Sequence, residues 1–587
     1  MHIALSYPPI AYPMMPYLAP FLLKGWLEAE TAHTASVHDL NIEFHHFLWR
    51  GSFAETALET LVNSGRKKQA LLAELLGAHG EKSWLSMQNI DNHKNPEKLW
   101  PHANLLKNAS RLVSEIDSLN GVYNALPFQK GMWRDTLDQY EFSVVGQFLQ
   151  RKIMEGLFDD IQIVGMSVAY VEQLLPALLQ SRLLKQRNPA LRIVLGGSGA
   201  THFLEELTHD LSVWEYIDYF IPFEGEVELS RLLDLLEDEK PVSSLNIAQC
   251  VNNKIVYKKE LKNRPNAQAT PDFSELKPLY PTPEPIYPLL TSKGCYWGKC
   301  AFCTHHEGYG QGFYRFDNEK LAAMIEKMIA DGARAFYFVD EALPPATLVK
   351  IAETFLEVQR TTGISNVRWM AEARIERKLA IYPEPELLYR AGCRVLVNGI
   401  ESGSQAVIDN MRKGIDLKAA QKHLKDSEKH GIKTGWMFFV GFPGESDDQS
   451  EDTFRFIQEN RNELSFASIG VFQLEKGSPI WNKPQLWGVL EVIGKDQAYA
   501  TDFAYRMENG ELINKSILKE RLADLHTKYP DLKPLFGAAV DRASSLFLGS
   551  TQGDDEVPLS WDSVLANGKA ELHRKEKEIR ISPLQNV

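Results

Sequence analysis

Three cysteines, Cys295, Cys300 and Cys303, lie within nine residues in the middle of the chain. Thiolates supplied by one loop can bind three irons of a four-iron, four-sulfur cluster and leave the fourth iron open to another ligand. The spacing also allows a zinc site, with His305 or His306 as the fourth ligand. Spacing alone therefore indicates a metal centre and leaves both chemistries open.

The cysteines come directly after the strand of the first of six predicted strand–helix units. The six strands are expected at residues 287–292, 335–339, 367–373, 395–399, 433–440 and 466–472. Repeated units of this spacing predict a partial, TIM-like (β/α)6 barrel over residues 286–480, in which the active-site loops follow the strands. The cysteine loop is thus placed where a barrel carries its chemistry.

The segment before the barrel also alternates apolar runs with helical patterns. Strands are expected at residues 2–6, 36–39, 161–168, 191–195 and 217–221. Nearly continuous apolar runs of this kind predict a parallel sheet covered on both faces, so residues 1–259 are expected to form a doubly wound, Rossmann-like α/β domain. Helical periodicity at about 50–155 predicts an insertion, residues 260–285 a linker, and residues 481–587 a helical extension.

Four short motifs mark the predicted strand ends of this first domain. Ligands of open α/β sheets bind at the carboxyl ends of the strands, where small residues let a large ligand approach the backbone. The glycine motif of residues 197–202 lacks the third glycine of a dinucleotide-binding fingerprint. The candidate ligand contacts are Pro8, Ser167, Val168, Gly196, Gly197, Glu224, Gly225 and Glu226.

Composition limits the classes of partner. The formal net charge of -13 argues against a nucleic-acid surface, which usually needs clustered Lys and Arg. The longest apolar runs fall well short of the ~20 residues of a membrane helix, and the first residues lack the pattern of a signal peptide. Two isolated cysteines, Cys250 and Cys393, are most simply small buried side chains. A cytoplasmic, reducing environment is therefore expected.

The barrel segment resembles the radical S-adenosylmethionine family. The resemblance runs from Leu-Leu-Thr-Ser-Lys-Gly-Cys at 289–295, through Val-Leu-Val-Asn-Gly-Ile-Glu-Ser-Gly-Ser at 395–404, to Phe-Phe-Val-Gly-Phe-Pro-Gly-Glu at 438–445. The family motif is usually Cys-x3-Cys-x2-Cys with an aromatic residue before the last cysteine, here Phe302. The first gap has four residues in this chain, so the loop 296–299 is expected to bulge by one residue.

This resemblance implies how the cofactor S-adenosylmethionine would be held. The open iron of the cluster would bind its methionine moiety, and reductive cleavage would give a 5′-deoxyadenosyl radical. Ordinary capping, turn-forming and ion-pair roles are the alternatives for the residues concerned. The implied contacts are Asp340 and Glu341 with the methionine ammonium, Arg374 with the carboxylate, Glu401 and Ser402 with the ribose, and Gly441 with adenine.

The first domain is similar to the cobalamin-binding domain of one large subclass of these enzymes. The similarity lies in the order of Ser-Tyr-Pro-Pro, Val-Gly-Met-Ser-Val, Leu-Gly-Gly-Ser-Gly and Glu-Gly-Glu. The Asp-x-His-x-x-Gly motif that supplies a histidine ligand to cobalt elsewhere is absent, and the nearest string, residues 91–96, ends in proline. A bound cobalamin is therefore expected to lack histidine on its lower face; a fold that has lost its ligand is the alternative.

Together these features predict a cobalamin-dependent radical methyltransferase acting on an unactivated carbon of a small metabolite or peptide natural product. The resemblance also implies an electron donor such as flavodoxin or ferredoxin. One alternative keeps both cofactors but catalyses a non-methylating cyclisation or rearrangement. A second is a zinc-stabilised binding protein without catalysis.

Overall fold

The computed structural model describes residues 1–93, 96–122, 125–127, 129–242, 246–260, 267–305, 312–375, 385–538 and 546–547. His306 and residues 548–587, which form much of the predicted C-terminal extension, lie outside the described residues. No described helix is both long and apolar enough to cross a lipid bilayer.

The first domain is built on a seven-stranded sheet in the order β2-β1-β3-β4-β5-β6-β7. The first five strands are parallel, and a hairpin of two antiparallel strands extends one edge. All five residues of β3 are buried, as expected for a strand covered on both faces. The strands are β1 (His2–Tyr7), β2 (Thr34–Asp39), β3 (Ile163–Ser167), β4 (Arg192–Gly196), β5 (Tyr219–Ile221), β6 (Ala248–Val251) and β7 (Lys254–Val256).

Helices cover this sheet, and a helical insertion separates β2 from β3, as predicted. The helices associated with the sheet are α1 (Leu18–Glu30), α2 (Leu40–Trp49), α9 (Leu174–Arg187), α10 (Ser198–His202), α11 (Leu204–Leu207) and α12 (Glu226–Glu237). The insertion contains α3 (Ser52–Asn63), α4 (Lys67–Gln88), α5 (Ile90–His93), α6 (Pro96–Leu119), α7 (Trp133–Tyr140) and α8 (Val144–Met154).

The second domain is an open barrel of six parallel strands in the order β15-β14-β13-β12-β11-β8. The predicted α/β class and partial barrel are confirmed, and one strand coincides with its predicted range. The barrel strands are β8 (Ile286–Leu289), β11 (Ala335–Leu343), β12 (Arg368–Ala373), β13 (Cys393–Glu401), β14 (Lys433–Val440) and β15 (Phe466–Val471). Its helices are α13 (Asn318–Ala330), α14 (Pro345–Thr362), α15 (Pro385–Arg390), α16 (Gln405–Asn410), α17 (Leu417–Lys429), α18 (Asp447–Glu459) and α19 (Pro479–Asn482).

A short antiparallel ladder closes the base of the cysteine loop. It joins β9 (Ser292–Lys293), just before the first cysteine, to β10 (Tyr314–Arg315), beyond the last one. Gly294 follows β9 with φ +78°, and a Cβ at this position would lie 2.0 Å from the carbonyl oxygen of Gly312. Glycine is therefore required where the chain leaves the ladder and enters the loop.

The C-terminal extension is not purely helical, so this part of the prediction is wrong. A small antiparallel sheet of β16 (Val489–Val492), β17 (Tyr505–Met507) and β18 (Leu512–Ile513) precedes α20 (Lys515–Lys528) and α21 (Lys533–Ala538). These strands have two to four residues each. They are too short to produce a readable alternating pattern, and their pairing depends on turns such as that at Gly510.

The described part of the predicted linker, residues 267–285, packs against the first domain. The ring of Phe273 stacks on Phe21 at 4.7 Å between centroids. The hydroxyl of Tyr280 donates a hydrogen bond to Asp39 Oδ2 at 2.5 Å, and both side chains are buried. This segment is fixed along the first domain and brings the chain directly into β8.

Candidate functional site

The three cysteine thiols share one loop above the barrel. The backbone N–H of Ala301 donates to the carbonyl of Met411, and the N–H of Ile480 donates to the carbonyl of Ala301, both at 2.9 Å. Segments that follow two other barrel strands, β13 and β15, therefore hold the cysteine loop between its second and third cysteines. These two bonds fix the backbone of the loop at Ala301.

Electrostatic interactions show that the thiols lie near one another. Burial raises the pKa of Cys300, with a further increase from Cys295. Burial raises the pKa of Cys303 to about 12, and the neighbouring Cys300 adds to this. Among the described residues, no three His, Cys, Asp or Glu side chains are grouped so as to hold a single metal ion. Three sulfurs that each bind a different iron do not need to meet at one point.

Two cations stand beside these thiols. Lys413 and Arg374 both lower the pKa of Cys300 against the effect of burial. Lys413 Nζ lies 2.7 Å from Glu401 Oε1. Burial lowers the pKa of Lys413, but Glu401 and Cys300 more than offset this and raise it above its usual value. The predicted residues Arg374 and Glu401 are thus brought to the cysteines, together with Lys413, which the sequence analysis did not identify.

Trp297, one of the four residues between the first two cysteines, is held by contacts with other segments of the barrel. Its indole N–H donates to the carbonyl of Arg412 at 3.0 Å. The Arg374 guanidinium lies over one face of the ring, 3.8 Å from its centroid. At Gly414, with φ +66°, a Cβ would come within 2.5 Å of the indole. The extra residue of the gap is accommodated by packing Trp297 between the barrel and the 409–414 loop.

The two acidic residues of β11 have different neighbours. The carboxylate of Asp340 accepts hydrogen bonds from Thr291 and Ser292, including both the N–H and the hydroxyl of Thr291. Burial raises the pKa of Asp340 to about 6 despite these bonds. Glu341 Oε2 instead lies 2.6 Å from Nδ1 of His305. Asp340 therefore fixes the chain that leads into the cysteine loop, and Glu341 lies alongside the loop itself.

Three other barrel residues that were predicted to contact the cofactor have neighbours within the protein. The buried Ser402 hydroxyl accepts from the N–H of Ser404 at 3.1 Å. At Gly441, with φ +88°, the place of a Cβ is covered by Leu518 of α20. Phe302 packs edge-on against Phe439 at 5.0 Å between centroids. These residues support the barrel mouth, and a missing side chain at Gly441 makes room for the C-terminal extension.

The predicted motifs of the first domain converge at one edge of its sheet. The N–H of Val168 donates to the carbonyl of Gly196 at 2.8 Å, and Gly197 has φ +102° with no space for a Cβ against Val168. Ser167 ends the buried strand β3. The Pro8 carbonyl accepts from the Gln173 side chain at 2.6 Å. The glycine-rich turn is thus folded tightly against the segment that follows β3, and Gln173 joins that segment to the end of β1.

An aromatic group lies at the same edge and faces the barrel. The rings of Tyr7 and Tyr17 stack at 4.8 Å, and Tyr170 lies 6.4 Å from Tyr17. Burial raises the pKa of Tyr17 to about 12, opposed by a hydrogen bond with Ser198, and Glu341 raises it further. The interaction of Tyr17 with Glu341 indicates that this edge of the first domain lies near β11 of the barrel. Tyr7 belongs to the Ser-Tyr-Pro-Pro motif, whereas no sequence pattern distinguished Tyr17 or Tyr170.

The Glu-Gly-Glu motif also joins the two domains. Lys293 Nζ lies 3.1 Å from Glu224 Oε2 and 2.6 Å from Glu226 Oε1. The three side chains are 4%, 9% and 4% exposed, respectively. Burial lowers the pKa of Lys293, but Glu226 and Glu224 together raise it above its usual value. These carboxylates, predicted as ligand contacts, are thus paired with the barrel two residues before Cys295, and Gly225 packs against Leu23.

Two histidines and the two remaining cysteines lie outside the cysteine loop. His93, in the string nearest to a cobalt-ligating motif, lies in the insertion with Nε2 2.8 Å from the carbonyl of Met87. His202, at the end of the glycine-rich α10, has a buried Nε2 atom without a hydrogen-bond partner among the described residues. Cys393 is fully buried, as predicted, whereas Cys250 is half-buried on β6.

Comparison with known proteins places these features in context. Residues 289–457 match the Radical SAM superfamily. The chain is 23% identical over 380 residues to an uncharacterised methyltransferase of Pyrococcus horikoshii, covering 58% of this chain and 76% of that protein. It is 29% identical over 227 residues to the bacteriochlorophyllide d C-12(1)-methyltransferase of Chlorobaculum tepidum, covering 37% of this chain and 47% of that enzyme.

A solved structure shares the fold over almost the whole chain. It is the radical S-adenosylmethionine methyltransferase TsrM from Kitasatospora setae with cobalamin and a [4Fe-4S] cluster bound. The two chains superpose with a TM-score of 0.55 at 14% identity, covering 98% of this chain and 99% of the other. The overall fold of this chain is therefore a known one.

Proposed function

We propose that this chain, which contains a radical S-adenosylmethionine domain over residues 289–457, is a cobalamin-dependent methyltransferase acting on an unactivated carbon. The observation that carries this proposal is the apposition of two ligand-binding edges within one chain. The cysteine loop follows the first barrel strand, and the glycine-rich edge of the first domain faces it across the Lys293–Glu226 pair. With this arrangement, a substrate bound between the two edges could reach the cofactors of both domains.

The residues present fit a four-iron, four-sulfur cluster. Three neighbouring thiols supply its ligands, and Lys413 and Arg374 provide positive charge beside Cys300. When bound, the cluster and S-adenosylmethionine would supply a 5′-deoxyadenosyl radical, and cobalamin a methyl group. The superfamily match favours this cluster over zinc, and His305 is already paired with Glu341.

The barrel mouth also fits S-adenosylmethionine. Glu341 provides a carboxylate for the methionine ammonium, as a charge-assisted hydrogen bond requires. Arg374, held between Trp297 and the Lys413 carbonyl, offers its guanidinium to the methionine carboxylate. Glu401 is oriented by Lys413 for the ribose. We assign Asp340, Ser402 and Gly441 to positioning roles, because Asp340 and Ser402 are buried with their polar atoms bonded within the protein and Leu518 covers the open face of Gly441. Glu341, by contrast, is 25% exposed.

The first domain offers a site for cobalamin at its glycine-rich edge. Gly196 and Gly197 are half-buried and Ser198 is exposed, so part of this turn is accessible to a flat ligand. The buried Nε2 of His202 provides a polar atom for one of the ligand's amide groups. Tyr17 and Tyr170 line the side that faces the barrel. His93 is engaged in the insertion, so we propose a lower face without histidine ligation.

The partners follow from this chemistry. We propose a small metabolite or peptide natural product as substrate, an electron donor of the flavodoxin or ferredoxin class, and a cytoplasmic location. The net charge of -13 weighs against a nucleic-acid substrate. The names of both curated relatives favour methyl transfer over cyclisation or rearrangement.

The test combines metal content with product analysis under anaerobic conditions. Reconstituted protein should contain about four irons and four sulfides per chain. With titanium(III) citrate, S-adenosylmethionine and cobalamin, it should form S-adenosylhomocysteine and 5′-deoxyadenosine in equal amounts once substrate is present. Cys300→Ala should lose the cluster and both products, whereas Cys250→Ala, on the half-buried edge hairpin, should keep them. Deoxyadenosine without S-adenosylhomocysteine would contradict methylation.

A further inference from the structure

We infer that the outer surface of the cysteine loop is the docking site for the electron donor, an acidic protein carrying a one-electron centre. This inference rests on the proposed function, because reductive cleavage of S-adenosylmethionine requires one electron from outside the chain. The donor would be oxidised by one electron and the cluster reduced by one electron, and no bond would be made or broken in that step.

The surface is an open cavity of about 450 Å³ on the solvent side of the loop. It is lined by residues 297–299 of the cysteine loop, by Asp409, Arg412 and Gly414, and by Pro479. Residues 297–299 lie between the first and second cysteines, and Lys299 directly precedes Cys300. A protein seated here would be separated from a cluster thiolate by very few bonds, and electron tunnelling falls steeply with distance.

The charges along this cavity are predominantly positive and are held in place. Lys299 Nζ lies 4.9 Å from the centroid of Trp297, and the guanidinium of Arg412 lies 4.7 Å from that of Trp487. Both cations are exposed, and the cation–π contacts restrict where they stand. Asp409, also exposed, is the acidic residue of the lining. The net charge of this lining is therefore positive.

This local sign contrasts with the whole chain, whose formal net charge is -13. A distant acidic protein is repelled by most of the surface, so a positive patch at the cluster gives the encounter a preferred orientation. Weak electron-transfer complexes have small interfaces, so a patch of the size of this lining can form a substantial part of the contact. Charge complementarity thus favours an acidic carrier and places it against the cysteine loop.

The test uses the reconstituted full-length enzyme and reduced flavodoxin as the probe. Binding is measured by anisotropy of labelled flavodoxin at low and high salt, and electron transfer by 5′-deoxyadenosine formed with flavodoxin or with titanium(III) citrate. Lys299→Gln/Arg412→Gln should weaken binding about fivefold to tenfold at low salt and leave the titanium-driven rate unchanged. Asp409→Asn should tighten binding about twofold. Lys68→Gln, an exposed lysine in the helical insertion, is the matched control and should behave as wild type.

Each outcome decides the question. Equal flavodoxin affinity for wild type and the double variant would overturn the docking site, as would a double variant that loses flavodoxin-driven and titanium-driven rates in parallel. Salt-sensitive binding that depends on Lys299 and Arg412, in an enzyme that forms no deoxyadenosine even with titanium(III) citrate, would contradict the proposed function while supporting the surface.

Discussion

Lys293→Met tests whether the ion pair between the domains holds them together. The substitution keeps a long, flexible side chain but removes the ammonium that Glu224 and Glu226 share at 3.1 and 2.6 Å. The carboxylates stay 9% and 4% exposed and cannot recover their hydration without opening the interface. A break in the contact between the first domain and the start of the cysteine loop is therefore expected.

The expected loss of stability follows from the burial of the three charged side chains. Removing one partner of a buried ion pair usually costs about 3–5 kcal/mol, because the remaining charge is left without compensation. In a domain of about 150–250 residues, each kcal/mol shifts Tm by roughly 2–4 °C, so unfolding should begin roughly 6–20 °C lower. Neutralising both carboxylates as well, by Glu224→Gln and Glu226→Gln, should restore most of the loss, since hydrogen-bonding groups then replace stranded charges.

Thermal and urea unfolding of the cofactor-free protein provide the measurement. The matched control is Lys327→Met, which removes a pair of similar length, 2.6 Å to Asp331, from a site where both side chains are more than 60% exposed. That change should cost less than about 1 kcal/mol. If Lys293→Met is no more destabilising than Lys327→Met, the buried pair does not join the domains as described.

Two further predictions concern Asp39 and the acidic residues of β11. Burial raises the pKa of Asp39 from 3.8 to about 6, so the folded chain holds this proton more tightly than the unfolded chain; its contribution to stability is complete below pH 3.8 and falls by roughly 3 kcal/mol as pH rises through 6. Asp39→Asn should remove that part of the pH dependence in urea unfolding, and an unchanged slope would contradict the assignment. Glu341→Gln should weaken S-adenosylmethionine binding about tenfold in equilibrium dialysis and, because its pair with His305 is partly exposed, lower stability by less than about 1 kcal/mol. Asp340→Ala should lower stability by about 1–3 kcal/mol because Thr291 loses its acceptor. Equal effects of both changes on stability would argue against this division of roles.

The fold was predictable wherever a local pattern and the tertiary structure agree. The strand Lys433–Val440 is apolar, long and bounded by a helix end, and it was placed correctly from its residues alone. The strands of the C-terminal sheet carry no such pattern, because each has at most four residues and depends on its neighbours. Length and periodicity thus set the limit of prediction.

In the site, positions could be predicted from local sequence but contacts between distant segments could not. The cysteines follow the first barrel strand and Glu341 lies in the last third of β11, and both positions can be located from the apolar strand patterns in the sequence. Lys293 and Lys413 acquire their partners from segments far away in the chain, so nothing in the adjacent residues indicates the pairing. Glu226 was predicted as a ligand contact from its position past a strand end, and in the structure its carboxylate pairs with Lys293 of the barrel.

The helical insertion has a consequence for the order in which the chain acquires its structure. Strand β1 pairs with both β2 and β3, but the whole insertion is synthesised between those two partners. Joining them early would require closing a very long loop, and the entropic cost of closure grows with loop length. Helices that contact their near neighbours, such as α3, α4 and α6, form quickly and need no distant partner. We therefore expect the insertion to be the first part of the nascent chain to become compact. Its compaction would shorten the effective loop between β1 and β3 before β3 is synthesised.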